Sequence, residues 1–143
     1  IEQPFPADRL NDTALLREIS PLPLYADENS IDSADISKIA GVFDGINIKL
    51  MKCGGIDEAL VMIKIAKRLN MKIMLGCMIE SSVGITAAAQ LASEVDAVDL
   101  DGNLLINNDP YRGVPVENGK LVLPQGNGLG VSLLIKRFPS RSA

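Results

Sequence analysis

Histidine is absent from this sequence of 143 residues, and aromatic residues make up only 3% of it. Without histidine the chain cannot supply a Ser-His-Asp or Cys-His catalytic pair, and the commonest zinc ligand is missing. The two cysteines, Cys53 and Cys77, lie far apart and form no Cys-x-x-Cys motif. We expect them to be reduced thiols, which predicts a cytoplasmic protein.

Long uninterrupted apolar runs are also missing. The most apolar stretch, 59–66, is interrupted by Lys64 and is too short to span a bilayer, so we expect no membrane partner and no signal peptide. A net charge of −4 and a pI of about 4.8 argue against nucleic acid as a partner, because phosphate binding needs clustered Lys and Arg. The basic tail at 136–141 is too short to change this expectation.

Apolar residues form 47% of the chain, mostly Ile, Leu, Val, Ala and Met, which suits buried parallel strands flanked by helices. Short apolar runs alternate with segments of helical periodicity. After the end of a first strand at 1–4, the predicted strands are 22–27, 45–50, 72–76 and 97–100. The predicted helices are 8–19, 30 or 32 to 40, 55–69 and 82–92. The predicted apolar face of the third helix contains Ile56, Leu60, Ile63 and Ala66.

Steps of about 20 to 30 residues between strands are typical of βαβ units. About five strands cannot close an eight-stranded barrel, so the pattern permits a doubly wound open sheet or an incomplete (β/α)8-type barrel. The missing beginning of the first strand favours the incomplete α/β barrel, and therefore the C-terminal portion of a longer protein. After Gly102 the pattern changes, and the turn at 117–119 predicts a hairpin between 114–116 and 121–123.

Charged side chains stand where the predicted strands end: Glu2, Asp27, Lys49, Asp99 and Asp101. An α/β barrel builds its active site from groups at the carboxyl ends of successive parallel strands. Carboxylates at two strand ends suggest a divalent cation, and a lysine at a third suggests a general base. The alternative is that these are solvated loop carboxylates and a lysine that reaches solvent from a strand end.

Five motifs occur in an order that resembles a known family: Ile1-Glu2-Gln3-Pro4, Ala26-Asp27-Glu28, Asn47-Ile48-Lys49-Leu50-Met51-Lys52-Cys53-Gly54-Gly55-Ile56, Gly76-Cys77-Met78-Ile79-Glu80 and Asp99-Leu100-Asp101. Together they resemble the C-terminal half of the enolase superfamily in its muconate-lactonizing subgroup, and most of all the dipeptide epimerases, such as the L-Ala-D/L-Glu epimerases. The resemblance implies strands four to eight of the catalytic barrel within residues 1–104. It leaves residues 105–143 as a C-terminal extension with a short hairpin and a tail.

The resemblance also implies a Mg²⁺ site and a catalytic lysine. Glu2 and Asp27 match two of three carboxylates that hold the metal ion, and the third lies on an earlier strand. Lys49 matches the general base or acid on the sixth strand, and Asn47, two residues earlier, shares its inward face and supports it. We expect the metal ion and burial to lower the pKa of Lys49 toward the working pH. The second base of the family lies on a strand absent here, so the chain alone is expected to be inactive.

Asp99 and Asp101 are expected to bind substrate. Two residues apart, both should face inward with Leu100 outward, and two close carboxylates repel unless a cation lies between them. In the family that cation is the N-terminal ammonium of a dipeptide. A second metal site or a pair of helix caps are the alternatives.

Residues beside these motifs are predicted to complete the site. By family analogy the backbone of Cys77, Met78 and Ile79 lies beside the substrate; the alternative is a strand end packed in the core. Glu28 and Lys52 are predicted to support the metal ligands or to lie at the pocket rim, where Lys52 could meet a substrate carboxylate.

The implied function is Mg²⁺-dependent 1,1-proton transfer at the α-carbon of the C-terminal residue of a dipeptide, through an enediolate. The alternatives within the subgroup are a cycloisomerase, an N-succinylamino-acid racemase or an o-succinylbenzoate synthase. Outside it, Lys49 could form a Schiff base in an aldolase-like barrel, or the chain could be a non-catalytic binding module. Expected partners are the dipeptide, the N-terminal part of the same enzyme and, through an open barrel edge, a second copy in a homo-oligomer.

Overall fold

The structure is a computed structural model that describes residues 1–134; the basic tail and the end of the predicted extension lie outside the described residues. Its α-helices are α1 (Leu10–Ile19), α2 (Ser33–Ile39), α3 (Leu50–Cys53), α4 (Ile56–Arg68) and α5 (Ser82–Ala89). Its strands are β1 (Tyr25–Ala26), β2 (Gly45–Lys49), β3 (Lys72–Gly76), β4 (Ala97–Val98), β5 (Tyr111–Arg112), β6 (Val116–Glu117), β7 (Lys120–Leu121) and β8 (Ser132–Leu133). Short 3₁₀ turns occupy Ala92–Glu94 and Gly102–Leu105.

A parallel sheet of order β1-β2-β3-β4 carries the fold, and each strand lies beside the next one along the chain. The register between β2 and β3 runs from Gly45 opposite Lys72 to Lys49 opposite Gly76. A parallel bridge from Glu2 to Tyr25 adds the end of a further segment beside β1. The predicted α/β sequence of parallel strands is therefore confirmed, and all its carboxyl ends meet at one edge.

The two outer strands are shorter than the sequence predicts. β1 pairs with β2 only at Tyr25 and Ala26, because the segment before it contains Pro21 and Pro23, and prolines cannot donate to a ladder. β4 pairs with β3 only at Ala97 and Val98. The strand predicted at 97–100 therefore ends two residues early, and the chain turns away after the hydrogen bond from Asp99 N–H to the Leu75 carbonyl.

The apolar face predicted for helix α4 is confirmed at Ile63 and Ala66 but not at Ile56 and Leu60. Its buried residues are Ala59, Met62, Ile63 and Ala66, whereas Ile56 is exposed and Leu60 is half-buried. Ile56 is the first residue of the helix. Burial therefore follows the stripe that meets β2 and β3 rather than the most hydrophobic side chains.

The short helix α3 was not predicted. The sequence pattern predicted Leu50 as the end of a strand and no regular element over 51–54, but Leu50–Cys53 form one helical turn directly after β2. Gly54 ends this turn with φ of 91°, a conformation that glycine adopts without steric cost. The turn carries Lys52 back toward the end of β1.

The segment after residue 105 packs against α5. The predicted hairpin is confirmed with shifted strands, because β6 and β7 pair antiparallel across Asn118 and Gly119, both at positive φ as in a type I′ turn. Val114 is buried, and its N–H donates to Thr86 Oγ1 at 2.8 Å. Within residues 1–134, no helix combines the length and the apolar character that a membrane span requires.

Asp109 joins this segment to the start of α5. Its Oδ2 accepts the N–H of Ser82 at 2.6 Å and its Oδ1 accepts the N–H of Tyr111 at 3.0 Å. Burial alone would raise the pKa of Asp109, but these hydrogen bonds outweigh it and hold the pKa below its ordinary value. The carboxylate therefore stabilises the fold in its charged form.

We predict that Asp109→Ala lowers the free energy of unfolding at neutral pH by about 1 kcal/mol, as loss of a helix cap does. Because the folded pKa is depressed, this contribution is present above about pH 4 and is lost as the pH falls through the folded pKa. Urea unfolding at neutral and acid pH measures it, with Asp8→Ala, an exposed loop carboxylate, as control. An equal difference from wild type at both pH values would contradict the prediction.

Candidate functional site

Three predicted residues converge at the carboxyl edge of the sheet. Glu2 lies beside β1, where it forms a parallel bridge with Tyr25. Asp27 directly follows β1 in the chain, and Lys49 is the last residue of β2. Lys49 Nζ donates to Asp27 Oδ2 at 2.7 Å and lies 3.6 Å from Glu2 Oε1. The side chains of Lys49 and Asp27 are both 14% exposed, whereas that of Glu2 is 36% exposed. The carboxylates and the lysine thus share one site, as the positions in the sequence predicted.

Asn47 connects this site to the core. Its side chain is buried, and its Nδ2 donates to Glu2 Oε1 at 2.5 Å. Asn47 and Lys49 therefore reach the same carboxylate from the same face of β2, as their spacing predicts. Within residues 1–134 no hydrogen-bond partner reaches the buried Asn47 Oδ1.

Gly76 makes room for the Asn47 amide. A Cβ atom at position 76 would lie 2.5 Å from Asn47 Oδ1 and 2.7 Å from its Nδ2, closer than van der Waals contact permits. The parallel register brings the strand end that contains Gly76 beside the end of β2. A glycine at this point is therefore a requirement of the site rather than of a turn.

Lys52 lies closer to the centre of the site than a rim residue would. From helix α3 its Nζ donates to Asp27 Oδ1, to the Asp27 carbonyl at 2.7 Å and to the Asn47 carbonyl at 3.2 Å. Its side chain is only 11% exposed. Asp27 thus has a lysine on each of its two carboxylate oxygens.

Sequence reasoning missed the role of Gln3. Its Oε1 accepts the N–H of Asp27 at 2.9 Å, and its Nε2 donates to Asn29 Oδ1 at 2.7 Å and to the Phe5 carbonyl at 2.9 Å. These bonds tie the loop after β1 to the segment that carries Glu2. Gln3 stands next to Glu2 in the first motif, which is the only signal that the sequence offered.

The electrostatics of the cluster correct the part of the Lys49 expectation that concerns burial. Burial opposes the charge on Lys49, but the hydrogen bond and charge of Asp27 and the charge of Glu2 outweigh it, so the pKa of Lys49 is raised. Burial likewise opposes the charge of Asp27, but Lys49 and Lys52 hold its pKa below the ordinary value. Burial in this arrangement therefore does not lower the pKa of Lys49, because two carboxylates face the ammonium group.

An open pocket of about 580 Å³ lies over the cluster. Glu2, Asp27 and Lys49 line one side of it, and the loop 3–7 lines the other. Glu28 is exposed at its margin, as predicted for a rim residue.

Asp99 and Asp101 line a second pocket of about 530 Å³, which shares no lining residue with the first. Both are exposed, and Leu100 between them is packed in the core. The alternation of side chains along a strand, from which Asp101 was predicted to face the same way as Asp99, does not apply to Asp101. The strand β4 ends at Val98, and Asp101 has helical backbone angles just before a 3₁₀ turn. The pocket is otherwise lined chiefly by apolar residues of β4 and of the β6–β7 hairpin.

The loop after β3 contains Cys77, Met78 and Ile79. In the sheet, β3 lies between β2, whose end lines the first pocket, and β4, whose end lines the second. Cys77 is half-buried against the core, and burial raises the pKa of its thiol. Met78 and Ile79 are 39% and 68% exposed, and Gly102 packs closely against the Met78 carbonyl. Cys77 thus matches the alternative of a packed strand end, whereas Met78 and Ile79 are available at the edge.

The donor set fits a hard divalent cation in part. Glu2 and Asp27 offer carboxylate oxygens from adjacent chain segments, and Mg²⁺ prefers such ligands. Among residues 1–134, however, no group of three or more Asp, Glu, His or Cys side chains could hold a metal ion.

The sequence of this chain matches the Enolase C-terminal domain-like family over residues 1–136. The chain therefore belongs to this family, and the fold is the α/β fold of its C-terminal domain. This confirms the resemblance to the enolase superfamily that the ordered motifs indicated.

Individual relatives are similar at high identity. The L-Ala-D/L-Glu epimerase of Bacteroides thetaiotaomicron is 50% identical over 131 residues, 92% of this chain and 34% of the relative. The N-acetyl-D-glutamate racemase of a Pseudoalteromonas species is 42% identical over 121 residues, 85% of this chain and 38% of the relative. The chain thus spans little more than a third of the length of these curated relatives.

A solved structure shares the fold at a TM-score of 0.85. It is a dipeptide epimerase from Cytophaga hutchinsonii in complex with Mg and the dipeptide D-Ala-L-Val, and it is 30% identical to this chain. The match covers 96% of this chain and 39% of the solved chain. The sheet described above therefore corresponds to part of a larger fold in that protein.

We predict that Gly76→Ala destabilises the fold by about 1 to 3 kcal/mol, because its methyl group overlaps the Asn47 amide. In an Asn47→Ala background the overlap is gone, so the same substitution should cost much less. Chemical unfolding of the two single variants and the double variant measures this coupling. Additive effects of the two substitutions would show that Gly76 does not accommodate Asn47.

Proposed function

We propose that this chain forms the C-terminal part of the catalytic barrel of a Mg²⁺-dependent dipeptide epimerase. The reaction would be 1,1-proton transfer at the α-carbon of the C-terminal residue of the dipeptide, through a planar enediolate. The proposal is supported by family membership, by the names of similar proteins and by the residues at the carboxyl edge of the sheet.

The observation that carries the proposal is the position of Lys49. Its Nζ lies 2.7 Å from Asp27 Oδ2 and 3.6 Å from Glu2 Oε1, at the floor of an open pocket. A solvated lysine at a strand end would not be 14% exposed between two carboxylates. A proton-transfer group beside candidate metal ligands is the arrangement that removal of a weakly acidic α-proton requires.

Glu2 and Asp27 would hold the metal ion, together with a third ligand from a preceding part of the protein. Bound Mg²⁺ would supply positive charge beside the substrate carboxylate, which makes the α-proton more acidic. Asn47 orients Glu2 by its hydrogen bond to Oε1. Gln3 orients the loop that carries Asp27.

Lys49 would hold or move a proton at Nζ. The two carboxylates favour its ammonium form, so as described it is prepared to donate a proton. It can accept one only when another cation takes over part of the negative charge of Asp27 and Glu2. The second acid or base, on the opposite face of the substrate, would come from the same preceding part of the protein.

Asp99 and Asp101 would bind the α-ammonium group of the substrate. They are exposed in a second pocket just after β4, whereas the pocket that contains Lys49 lies at the ends of β1 and β2. Two carboxylates that face one pocket attract a cation through charge-assisted hydrogen bonds. Met78 and Ile79, on the loop between them, would contact the substrate along its length.

The second candidate is a racemase of N-acylated amino acids, which the similarity to the N-acetyl-D-glutamate racemase favours. Such a substrate lacks a free ammonium group and leaves the pair Asp99 and Asp101 without a partner. A Schiff-base role for Lys49 leaves both Glu2 and Asp27 unexplained. The epimerase assignment uses all five charged residues.

We predict that Lys49→Met lowers the rate of α-proton exchange by about 10²- to 10⁴-fold for the epimer whose α-proton faces Lys49, because it removes the proton-transfer group on that face. The measurement is solvent deuterium incorporation into each epimer of a dipeptide, followed by NMR, in the full-length protein that carries this chain. Lys67→Met is the control, because Lys67 lies on α4 and pairs with the exposed Glu94. Undiminished exchange on both epimers in Lys49→Met would refute the role.

We predict that Asp99→Asn and Asp101→Asn each raise KM for a dipeptide with a free amino terminus by about tenfold or more, the cost of a lost charge-assisted hydrogen bond. The matched comparison is the N-acetylated form of the same dipeptide, on which the substitutions should have little effect. Steady-state kinetics on both substrates separate the two candidate functions. Preference of the wild-type enzyme for the acetylated substrate would favour the racemase.

A further inference from the structure

The two lysines at Asp27 differ in what else they bind. All three donors of the Lys52 ammonium are used, on Asp27 Oδ1 and on the backbone carbonyls of Asp27 and Asn47. The acceptors within reach of Lys49 are the carboxylates of Asp27 and Glu2. Lys52 is therefore anchored to the backbone of two strand ends, whereas Lys49 is held by the side chains that are the proposed metal ligands.

This difference makes the two carboxylate oxygens of Asp27 unequal: Oδ2 accepts from Lys49 and Oδ1 accepts from Lys52. A cation that binds Glu2 and Asp27 competes with Lys49 for Oδ2, because both would use the same carboxylates. Displacing Lys52 from Oδ1 would disturb an ammonium that also satisfies two backbone carbonyls, which costs more. Oδ2 is thus the oxygen whose partner can be replaced at the lower cost, and Oδ1 is the oxygen bound by the backbone-anchored Lys52.

We propose that Lys52 is a positioning residue that holds Asp27 through Oδ1, so that Oδ2 alone is offered to a metal ion or to Lys49. The proposal rests on the proposed function, in which Asp27 is a metal ligand. It replaces the expectation that Lys52 meets a substrate carboxylate, because its three donors are already engaged. Asn47 acts on Glu2 Oε1 in the same manner.

The charge of Lys52 and its position have opposite effects on a bound cation. A positive charge beside the site repels Mg²⁺, so removal of charge alone would tighten binding. Removal of a group that orients a metal ligand weakens binding, typically by about 10- to 100-fold. Both Lys49 and Lys52 add positive charge near the metal site, but only Lys52 is proposed to hold the Asp27 carboxylate in the orientation that binds the metal ion.

The test is Mg²⁺ affinity, measured by isothermal titration calorimetry at one pH in the full-length protein. We expect Lys49→Met to bind Mg²⁺ more tightly than wild type, because a competing cation is gone. We expect Lys52→Met to bind it about 10- to 100-fold more weakly. Lys67→Met, distant from the site, should match wild type.

The Lys52→Arg variant separates the effect of orienting Asp27 from the effect of positive charge. It also replaces Lys52→Met as the test variant if Lys52→Met does not fold. It keeps the positive charge, but a planar guanidinium cannot direct its donors to the three acceptors as an ammonium does. We expect it to weaken Mg²⁺ binding and to change the electron paramagnetic resonance spectrum of bound Mn²⁺. The change in the spectrum would report altered ligand geometry rather than general destabilisation.

Two results would overturn the proposal while leaving the proposed function in place. One is tighter Mg²⁺ binding in Lys52→Met, as in Lys49→Met, which would mean that Lys52 acts only through its charge. The other is a Lys52→Arg variant with wild-type affinity and an unchanged Mn²⁺ spectrum. Absence of Mg²⁺ binding in the wild-type protein would instead refute the proposed function, and the role of Lys52 with it.

Discussion

The parallel pairing of β2 with both of its neighbours is the constraint on which the site depends. Because β1, β2 and β3 run in the same direction and in register, their carboxyl ends meet at one edge. Asp27 lies one residue beyond β1 and Lys49 is the last residue of β2, so their side chains are within hydrogen-bond distance. A shift of one residue in this register would turn Asn47 and Lys49 to the opposite face of the sheet.

Charge balance explains why polar groups can be concentrated at this edge. Two lysines and Asp27 lie close together with little exposure, the more exposed Glu2 lies beside them, and each ion is paired. Burying such a cluster gains little stability, since desolvation offsets much of the attraction between the charges. The two lysines are held differently: Lys52 binds two backbone carbonyls as well as Asp27, whereas Lys49 is held by carboxylate side chains.

Regular elements were predicted best where local pattern and tertiary pairing agree. β3 has the predicted bounds, and α4 differs by one residue at each end, because their flanking glycine and charged residues mark the same limits as the sheet does. β1 and β4 are shorter than predicted, since prolines precede β1 and the chain turns away from β3 after Asp99. Helix α3 was missed because a single turn has too few residues to show a helical period.

The sequence by itself determined the residue types, their order and their spacing along a βα repeat, and therefore the fold class and the family. It also placed Glu2, Asp27 and Lys49 at strand ends, because alternation and strand length are local properties. Only the tertiary structure decided which oxygen of Asp27 each lysine binds, that Lys52 turns inward and that Asp101 lies beyond its strand. Those outcomes depend on contacts between residues about 20 or more positions apart, which no local pattern specifies.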